Sequence, residues 1–200
     1  MNGRIETWFP KSIYVYEDFS LDLIPELERS ILETDIDSQR DTQLYVDSTH
    51  KINREIHQLA PYKILSKRIL TEIKTFARAL GYSKSVADLS FISSMWYNTS
   101  DKGDFIFPHN HAGGFISGAY YVSSVPENEI IFYDNLNDVY QPACEQNQLS
   151  YQTASYKCKP GRLLLWRSNF VHGTPIQLEQ GKKIVISFNA LLETNSTVVV

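Results

Sequence analysis

The sequence predicts an α+β fold that is mainly β, with N-terminal helices packed outside a sandwich, barrel or jelly roll. Up to about residue 85, apolar residues recur three or four positions apart, which is the helical period. From residue 86 to residue 192 they alternate along short runs separated by turn residues, and at least seven strands are expected there. No linker, repeat or low-complexity tract divides the 200 residues, so residues 1–200 are predicted to form a single domain.

Composition and charge exclude several classes of protein. With 19 basic and 23 acidic residues the formal net charge is −4, which argues against a nucleic-acid partner held by phosphate neutralisation. No apolar run approaches the ~20 residues of a membrane span, and the first residues lack the apolar core of a signal peptide. Two cysteines, Cys144 and Cys158, make no disulfide framework, although one bond between them remains an alternative. A reducing compartment, the cytoplasm, is therefore expected.

The first 85 residues are predicted to be mostly helical. Ser20 is a candidate N-cap for a helix with one apolar face, which comprises Leu23, Ile24, Leu27, Ile31 and Leu32. Residues 34–50 are polar and aperiodic and predict a long loop, and a helix is expected around Ile52, Ile56 and Leu59. Pro61 opens the next helix and Gly81 caps its end. The apolar face of that helix comprises Leu65, Ile69, Ile73, Phe76 and Leu80.

From residue 86 onward the pattern predicts strands. The 10 Phe, 12 Tyr and 3 Trp of the chain suit a β-rich interior or a ligand cavity. The predicted strands, which turn signals such as Gly161 and Gly181 separate, span residues 89–98, 105–111, 115–122, 130–133, 151–158, 162–166 and 183–192. Residues 193–200 would form an edge strand or a frayed end.

Two histidines in one predicted strand suggest a metal site. His109 and His111 are separated by one residue, so both project from the same face of a regular strand. Phe105 and Phe107 share that parity, and the face is therefore predicted to look inward until it ends in two imidazoles. Adjacent imidazoles at the mouth of an apolar channel suit a metal centre. The alternative is a pair of surface histidines at a strand end.

A third histidine and a partly polar strand follow later in the chain. His172 lies beside a predicted turn at Ser168 and Asn169, where it would be either structural or a ligand. In the last strand one face carries apolar residues only and belongs to the core. The other face lies either against solvent or along a wet cavity, and it carries Lys183, Val185, Ser187, Asn189 and Leu191.

Together these motifs resemble a known family. The segment from Trp96 to Leu192 is similar to the iron(II)- and 2-oxoglutarate-dependent oxygenases, specifically the prolyl-hydroxylase-like branch and its phage and bacterial relatives. The matching pieces, in the order and spacing of the family, are residues 96–98, 103–111, 115–121, 160–166, 170–173 and 183–189. The opening residues, Trp8 to Pro10, also resemble the start of that family.

The resemblance implies a double-stranded β-helix, or jelly roll, over residues 86–192 that binds iron(II) and 2-oxoglutarate. It assigns His109 and His172 as metal ligands. It places Lys183 opposite the distal carboxylate of 2-oxoglutarate, for which a lysine suffices as a point charge. Four more residues are assigned to the cosubstrate site, where only one of the two tyrosines is expected to face inward: Tyr120, Tyr121, Asn98 and Asn189. No catalytic side chain beyond the metal ligands is expected.

One position departs from the family pattern. The usual ligands are two histidines and a carboxylate, but the carboxylate position after His109 holds His111. A neutral imidazole leaves a bound metal more positive by one unit than a carboxylate would. Three-His sites hold iron in some dioxygenases and zinc in hydration chemistry, so His111 is predicted to be the third ligand. Asp104, the nearest carboxylate, lies on the opposite strand parity and ranks below it.

The resemblance therefore predicts an iron(II)- and 2-oxoglutarate-dependent dioxygenase that hydroxylates an unidentified substrate. The likeness to prolyl hydroxylases suggests a peptide or protein side chain as that substrate. Two alternatives remain: a three-His metal enzyme independent of 2-oxoglutarate, either a cupin-like dioxygenase or a zinc hydrolase, and a non-enzymatic jelly-roll binding module. The loops at residues 34–50 and 135–148 are long enough to cover a substrate. The partners would be small molecules, with no nucleic acid or membrane, in the cytoplasm of the cell or, if the chain is phage-encoded, of an infected host.

Overall fold

Two antiparallel sheets pack face to face in this protein. The structure, a computed structural model, describes residues 3–4, 6–7, 10–33, 39–134 and 150–193. The strands in this part of the chain are β1 Ile13–Tyr16, β2 Gln39–Asp41, β3 Val46–Ser48, β4 Ser90–Ser100, β5 Ile106–His109, β6 Ile116–Ser123, β7 Glu129–Tyr133, β8 Thr153–Lys157, β9 Leu163–Arg167, β10 Val171–Thr174 and β11 Lys183–Leu192. One sheet has the order β1-β9-β6-β11-β4-β3-β2 and the other β5-β10-β7-β8.

Three helices cover the outer face of the seven-stranded sheet: α1 Ile24–Glu33, α2 Tyr62–Ala79 and α3 Lys84–Asp88. A core cluster joins helices and sheet, and its members include Leu27, Ile69, Ile73, Tyr97, Ile186 and Phe188. None of the helices in the described chain combines the length and apolarity that a membrane crossing requires.

A second core cluster lies between the two sheets. Tyr121 and Val185 of the large sheet meet Ile130 and Phe132 of the small sheet there. Strand β9 shows the consequence, because its residues alternate between the two clusters while all four of Leu163–Trp166 are buried. The predicted fold, a mainly β jelly roll with helices outside, is therefore confirmed.

The helical prediction is confirmed for α2, whereas the segments before α2 differ from what the sequence predicted. The predicted apolar face of α2 is buried apart from Leu80, which packs against the same core, and Gly81 follows the helix at φ 95°. Ser20 has φ 48° and makes no side-chain cap, because a 3₁₀ turn over Leu21–Leu23 precedes α1. Leu32 leaves the buried face and is 56% exposed. The helix expected around Ile56 is only a 3₁₀ turn, Ile56–Gln58.

The loop predicted for residues 34–50 is wrong where the structure describes it. Strands β2 and β3 form a hairpin that extends the large sheet beside β4. Each strand has only three residues and carries polar side chains, so the apolar period gave no signal. Strands β1 and β10 and helix α3 were not predicted either. Several expectations lie outside the described residues, namely those on residues 8–9, 34–38, 135–148 and 194–200 and on Cys144. Cys158 carries a buried free thiol.

Candidate metal centre

Three imidazole rings meet at one end of the small sheet. His109 ends β5, His172 lies directly opposite it on β10, and His111 follows β5 by two residues. The ring centroids are 4.5 Å apart for His109 and His172, 5.1 Å for His109 and His111, and 5.2 Å for His111 and His172. Their potential ligand nitrogens all lie within 4.8 Å of one another, so a single ion could contact all three.

A bulge in β5 precedes His109, the first of these rings along the chain. His172 pairs with His109, but Thr174, two residues on, pairs with Ile106, so β5 carries one extra residue. The predicted alternation is therefore broken: Ile106 lines the cavity, and Phe107 is 52% exposed instead of facing inward. Gly173 permits this close pairing, because a Cβ atom there would lie 2.7 Å from the carbonyl oxygen of Ile106.

His111 reaches the site through a turn, not through strand alternation. Its backbone N–H donates to the carbonyl oxygen of Ser168 at 2.8 Å, which ties the segment after β5 to the turn before β10. Its ring stacks on that of His172 at an interplanar angle of 14°. The turn after β5, and not a regular strand, therefore brings His111 against His172.

Backbone carbonyls fix the tautomers of two histidines. Nδ1 of His109 lies 2.8 Å from the carbonyl oxygen of Phe107, and Nδ1 of His172 lies 2.9 Å from that of Phe170. A carbonyl oxygen can only accept, so each Nδ1 carries the proton and each Nε2 keeps its lone pair. This second hydrogen bond is the one that orients metal-binding histidines in proteins.

Burial favours the neutral form of two of these rings. Burial, reinforced by the neighbouring His109, lowers the pKa of His172 to about 3 and that of His111 to about 4. A neutral imidazole is the form that binds a metal. No carboxylate joins the three histidines within the described part of the chain. Asp104 is paired instead with Arg40, at 2.7 Å, so it does not replace the missing acid.

The same imidazoles line a cavity between the two sheets. Its wall is largely apolar and aromatic, and no Asp or Glu lines it within the described chain. Lys183 supplies a cationic group on this wall and is only 3% exposed. Its Nζ donates to Oδ1 of Asn128 at 3.2 Å, and burial lowers its pKa. The cavity therefore joins a possible metal site to a buried ammonium group.

The structure separates the remaining predicted site residues. Tyr121 and Asn98 line the cavity. Tyr120 points to the opposite face of β6, where its hydroxyl donates to the carbonyl oxygens of Phe19 and Ser20. Tyr120 is therefore a core residue, because neighbouring strand residues face opposite sides. Asn189 does not line the cavity either; it lies at the far end of β11 from Lys183 and is bonded to Ser117 and Ser94.

Four buried polar atoms of the cavity-lining residues have no hydrogen-bond partner in the described structure. They are Nε1 of Trp96, Oγ of Ser100, Nε1 of Trp166 and Oγ1 of Thr174. Buried donors without partners are uncommon in folded proteins, and a bound water, ion or polar ligand is one way in which they are satisfied. Sequence reasoning did not single out Ser100, which lies opposite Lys183 in the register of β4 and β11. Only that register could have indicated it.

Part of the chain matches the model of a known protein family. Residues 94–189 match the family model described as "Putative 2OG-Fe(II) oxygenase". No curated protein matches the sequence. The family match covers both strands of the candidate metal site and the first residues of β11, and it confirms the resemblance that the motifs predicted.

Solved structures share the fold at low identity. The epimerase SnoN from nogalamycin biosynthesis, in complex with Fe3+, alpha ketoglutarate and nogalamycin RO, has a TM-score of 0.67 at 12% identity, over 92% of this chain and 80% of that chain. A Pseudomonas putida prolyl-4-hydroxylase has a TM-score of 0.61 at 11% identity, over 92% and 94%. HygX from Streptomyces hygroscopicus, with nickel and 2-oxoglutarate bound, has a TM-score of 0.57 at 12% identity, over 92% and 84%.

Proposed function

We propose a function from the premise that this chain belongs, over residues 94–189, to the family of 2OG-Fe(II) oxygenases. In this proposal it binds iron(II) and 2-oxoglutarate and hydroxylates a carbon–hydrogen bond of an organic substrate. When bound, the two cofactors supply the oxidising chemistry: dioxygen converts 2-oxoglutarate to succinate and carbon dioxide, and the second oxygen atom enters the substrate. The protein supplies the ligands, the orientation and the exclusion of water.

The three histidines fit the metal. Imidazole nitrogen is a suitable donor for iron, and Nε2 of both His109 and His172 is free because Nδ1 of each ring is bonded to a carbonyl oxygen. The half-buried His111 ring supplies the third donor. Three protein ligands leave further coordination positions for the oxo-acid end of 2-oxoglutarate and for dioxygen.

The buried ammonium of Lys183 is the observation that carries this proposal. A buried cation is costly unless an anion offsets its charge, and no acidic residue lines the cavity in the described chain. The distal carboxylate of 2-oxoglutarate is a suitable counter-ion. The unpartnered hydroxyls of Ser100 and Thr174, with Tyr121 and Asn98, supply further polar contacts in the same cavity.

The absence of a carboxylate ligand gives this site a particular charge balance. Iron(II) held by three neutral imidazoles keeps its full double charge, and Lys183 adds another positive charge. The dianion 2-oxoglutarate offsets two of these three charges. Iron and cosubstrate are therefore expected to bind cooperatively, each tightening the other by the same factor.

The substrate is the least constrained part of the proposal. A peptide or protein side chain is supported by the likeness to the Pseudomonas putida prolyl-4-hydroxylase. SnoN and HygX have the same fold, and SnoN has been solved in complex with nogalamycin RO and HygX with hygromycin B bound. The fold thus accommodates different ligands, and residues of this chain beside the metal must select its substrate. A phage origin and a cytoplasmic location also stay predictions.

One observation favours a second candidate, a three-His metal enzyme that does not use 2-oxoglutarate. That observation is that no carboxylate joins the three histidines in the described chain, because zinc enzymes with three histidine ligands have no carboxylate ligand either. Incubation of the iron-loaded protein with 2-oxoglutarate in air separates the two candidates. We expect succinate to form, by NMR, only when iron is present and not in His109→Ala. Stoichiometric iron without any succinate would instead favour the second candidate.

A further inference from the structure

Beside the metal site three aromatic rings form a partly exposed cluster, which we call the aromatic cluster: Tyr45, Phe105 and Phe107. Tyr45 stacks on Phe105 with centroids 4.7 Å apart and an interplanar angle of 14°. Phe107 meets both rings edge-on, at 5.5 Å from Tyr45 and 4.9 Å from Phe105. Tyr45 is 41% exposed and Phe107 is 52% exposed. Large aromatic surface exposed beside a cavity is a common mark of a binding site.

The backbone holds Tyr45 in a strained conformation. Tyr45 has φ 54°, in the left-handed region that bulky residues avoid. Its N–H donates to the carbonyl oxygen of Asp41 at 2.6 Å, and the Asp41 carboxylate accepts from the backbone N–H groups of Gln43 and Leu44. Lys51 also pairs with Asp41, at 3.0 Å. Such strain persists only where surrounding contacts fix it, and it is typical of functional sites.

The cluster has a fixed position relative to the metal site. Arg40 of β2 pairs with Asp104 just before β5, at 2.7 Å, which ties the hairpin to the segment that carries Phe105 and Phe107. The carbonyl oxygen of Phe107 accepts the hydrogen bond from His109. Leu44, next to Tyr45, lines the cavity together with His109. The cluster is therefore connected to the cavity wall through Leu44 and His109, while its own three rings are not among the residues that line the cavity.

We infer that the aromatic cluster binds a neutral apolar ring of the substrate next to the metal. This inference rests on the proposed function, because it assigns a role in selecting the substrate of that same site. The cavity wall near the cluster, at Leu44 and Ile106, carries no charge, and Lys183 is assigned to the cosubstrate. A cationic substrate group would enter this cavity without an acidic partner. Aromatic rings contact other rings over a large flat area by stacking or edge-to-face packing, which favours a ring over an open chain.

The test measures binding of four small probes to the protein loaded with iron(II) and 2-oxoglutarate under nitrogen. The probes are N-acetylphenylalanine amide, N-acetylleucine amide, N-acetylglutamate amide and N-acetyllysine amide, and their dissociation constants come from ligand-observed NMR. We expect the phenylalanine probe to bind at least several times more tightly than the open-chain leucine probe. We expect no saturable binding of the lysine probe. The glutamate probe can use the remaining positive charge of the iron site and serves as the comparison that does not need the cluster.

Variants assign this binding to the cluster. Tyr45→Gly removes the ring but suits the left-handed backbone, and Phe107→Ala removes a second ring from an exposed position. Each should raise the dissociation constant of the phenylalanine probe about threefold to tenfold, which is the usual contribution of one aromatic pair. Tyr45→Phe keeps the ring and should leave binding unchanged. Phe91→Ala is the matched control, since Phe91 is equally exposed, at 41%, at the distant start of β4.

Two results would overturn the inference. One is equal binding of the leucine and phenylalanine probes, or binding that survives both Tyr45→Gly and Phe107→Ala. The other is self-association of the wild type, by sedimentation, that these variants abolish, because the cluster would then be a contact between copies of the chain. Binding of 2-oxoglutarate to the iron-loaded protein is followed separately, by the visible absorbance of the complex. If 2-oxoglutarate does not load, the proposed function fails. The phenylalanine probe is then titrated against the metal-free protein, and weaker binding in Tyr45→Gly and Phe107→Ala would still support the inference.

Discussion

His109 and His172 face each other across the β5–β10 pair and hold their rings by the same contact. In each, Nδ1 is bonded to the carbonyl oxygen two residues earlier in the chain, at 2.8 Å and 2.9 Å respectively. In each neutral ring this contact places the proton on Nδ1 and leaves Nε2 as the donor atom for a metal. The two ring centroids lie 4.5 Å apart. Two strands thus present matching donors before any metal is bound.

The first prediction is that His109→Ala and His172→Ala each remove most of the bound metal but leave the fold intact. Loss of one ligand is local, whereas the two core clusters supply the stability of the jelly roll. Metal content by mass spectrometry and circular dichroism report the two properties. His57→Ala is the control, since His57 lies in the 3₁₀ turn before α2 and outside the cluster. Full metal occupancy in either variant would show that its histidine is not a ligand.

The second prediction concerns Lys183. Lys183→Ala should weaken 2-oxoglutarate binding by roughly 2–5 kcal/mol, because the distal carboxylate would lose its buried partner. Iron binding should change little. Calorimetry on the anaerobic iron-loaded protein measures the first effect. Lys182→Ala is a matched control, because Lys182 is the neighbouring residue but is exposed and paired with Asp101 at 2.6 Å. If both variants bind 2-oxoglutarate like the wild type, Lys183 has no part in the site.

The third prediction is a dependence on pH. Burial lowers the pKa of Lys183 below its ordinary 10.5, and the nearby Cys158 and Asp104 offset only part of that effect. The dianion binds the ammonium form, so affinity should be constant while Lys183 is protonated and should fall as the pH rises through its lowered pKa. Lys183→Arg keeps its charge over this range and should remove the fall. A pH profile of 2-oxoglutarate affinity that is identical in both proteins would contradict this assignment.

The fourth prediction separates the adjacent tyrosines. Tyr120→Phe loses the hydroxyl proton that is shared between the carbonyl oxygens of Phe19 and Ser20, and should lower the free energy of unfolding by about 1 kcal/mol without changing 2-oxoglutarate affinity. Tyr121→Phe changes the cavity wall and should weaken 2-oxoglutarate binding. Urea unfolding and calorimetry on both variants give the comparison. The reverse pattern would mean that the two side chains have been assigned to the wrong faces.

The fifth prediction concerns His111, where the chain departs from two histidines and a carboxylate. His111→Asp should tighten iron binding in the absence of 2-oxoglutarate, because the carboxylate offsets part of the metal's charge. It should also reduce the factor by which 2-oxoglutarate tightens iron, since that coupling depends on the uncompensated charge. His111→Ala should lose metal. Iron affinities measured with and without 2-oxoglutarate supply the test, and unchanged occupancy in His111→Ala would remove His111 from the site.

The parts of the site that the sequence predicted depend on motifs and on regular alternation. The motif order indicated the three histidines and Lys183, and the alternation of β11 placed Lys183 and Ser187 on the cavity face. Alternation failed at β5, where the bulge turned Phe107 outward. It also left the phase of β6 undecided, so one sequence could not distinguish Tyr120 from Tyr121.

Other parts depend on contacts between strands that are distant in sequence. Ser100 and Thr174 line the cavity through the pairing of β4 with β11 and of β10 with β5, and no local pattern encodes such pairing. The β2–β3 hairpin escaped prediction because its three-residue strands gain their stability from the neighbouring β4 and from the contacts of Asp41. The helical face of α2, by contrast, depends on its own period and was predicted correctly.

The proposed function requires that three histidines and Lys183 hold iron(II) and 2-oxoglutarate together in one cavity. Its most direct test is an anaerobic titration of the iron-loaded protein with 2-oxoglutarate, followed by visible absorbance. We expect a weak charge-transfer band that saturates at one equivalent and requires His109 and His172. Stoichiometric iron with no such band, at any concentration of 2-oxoglutarate, would contradict it.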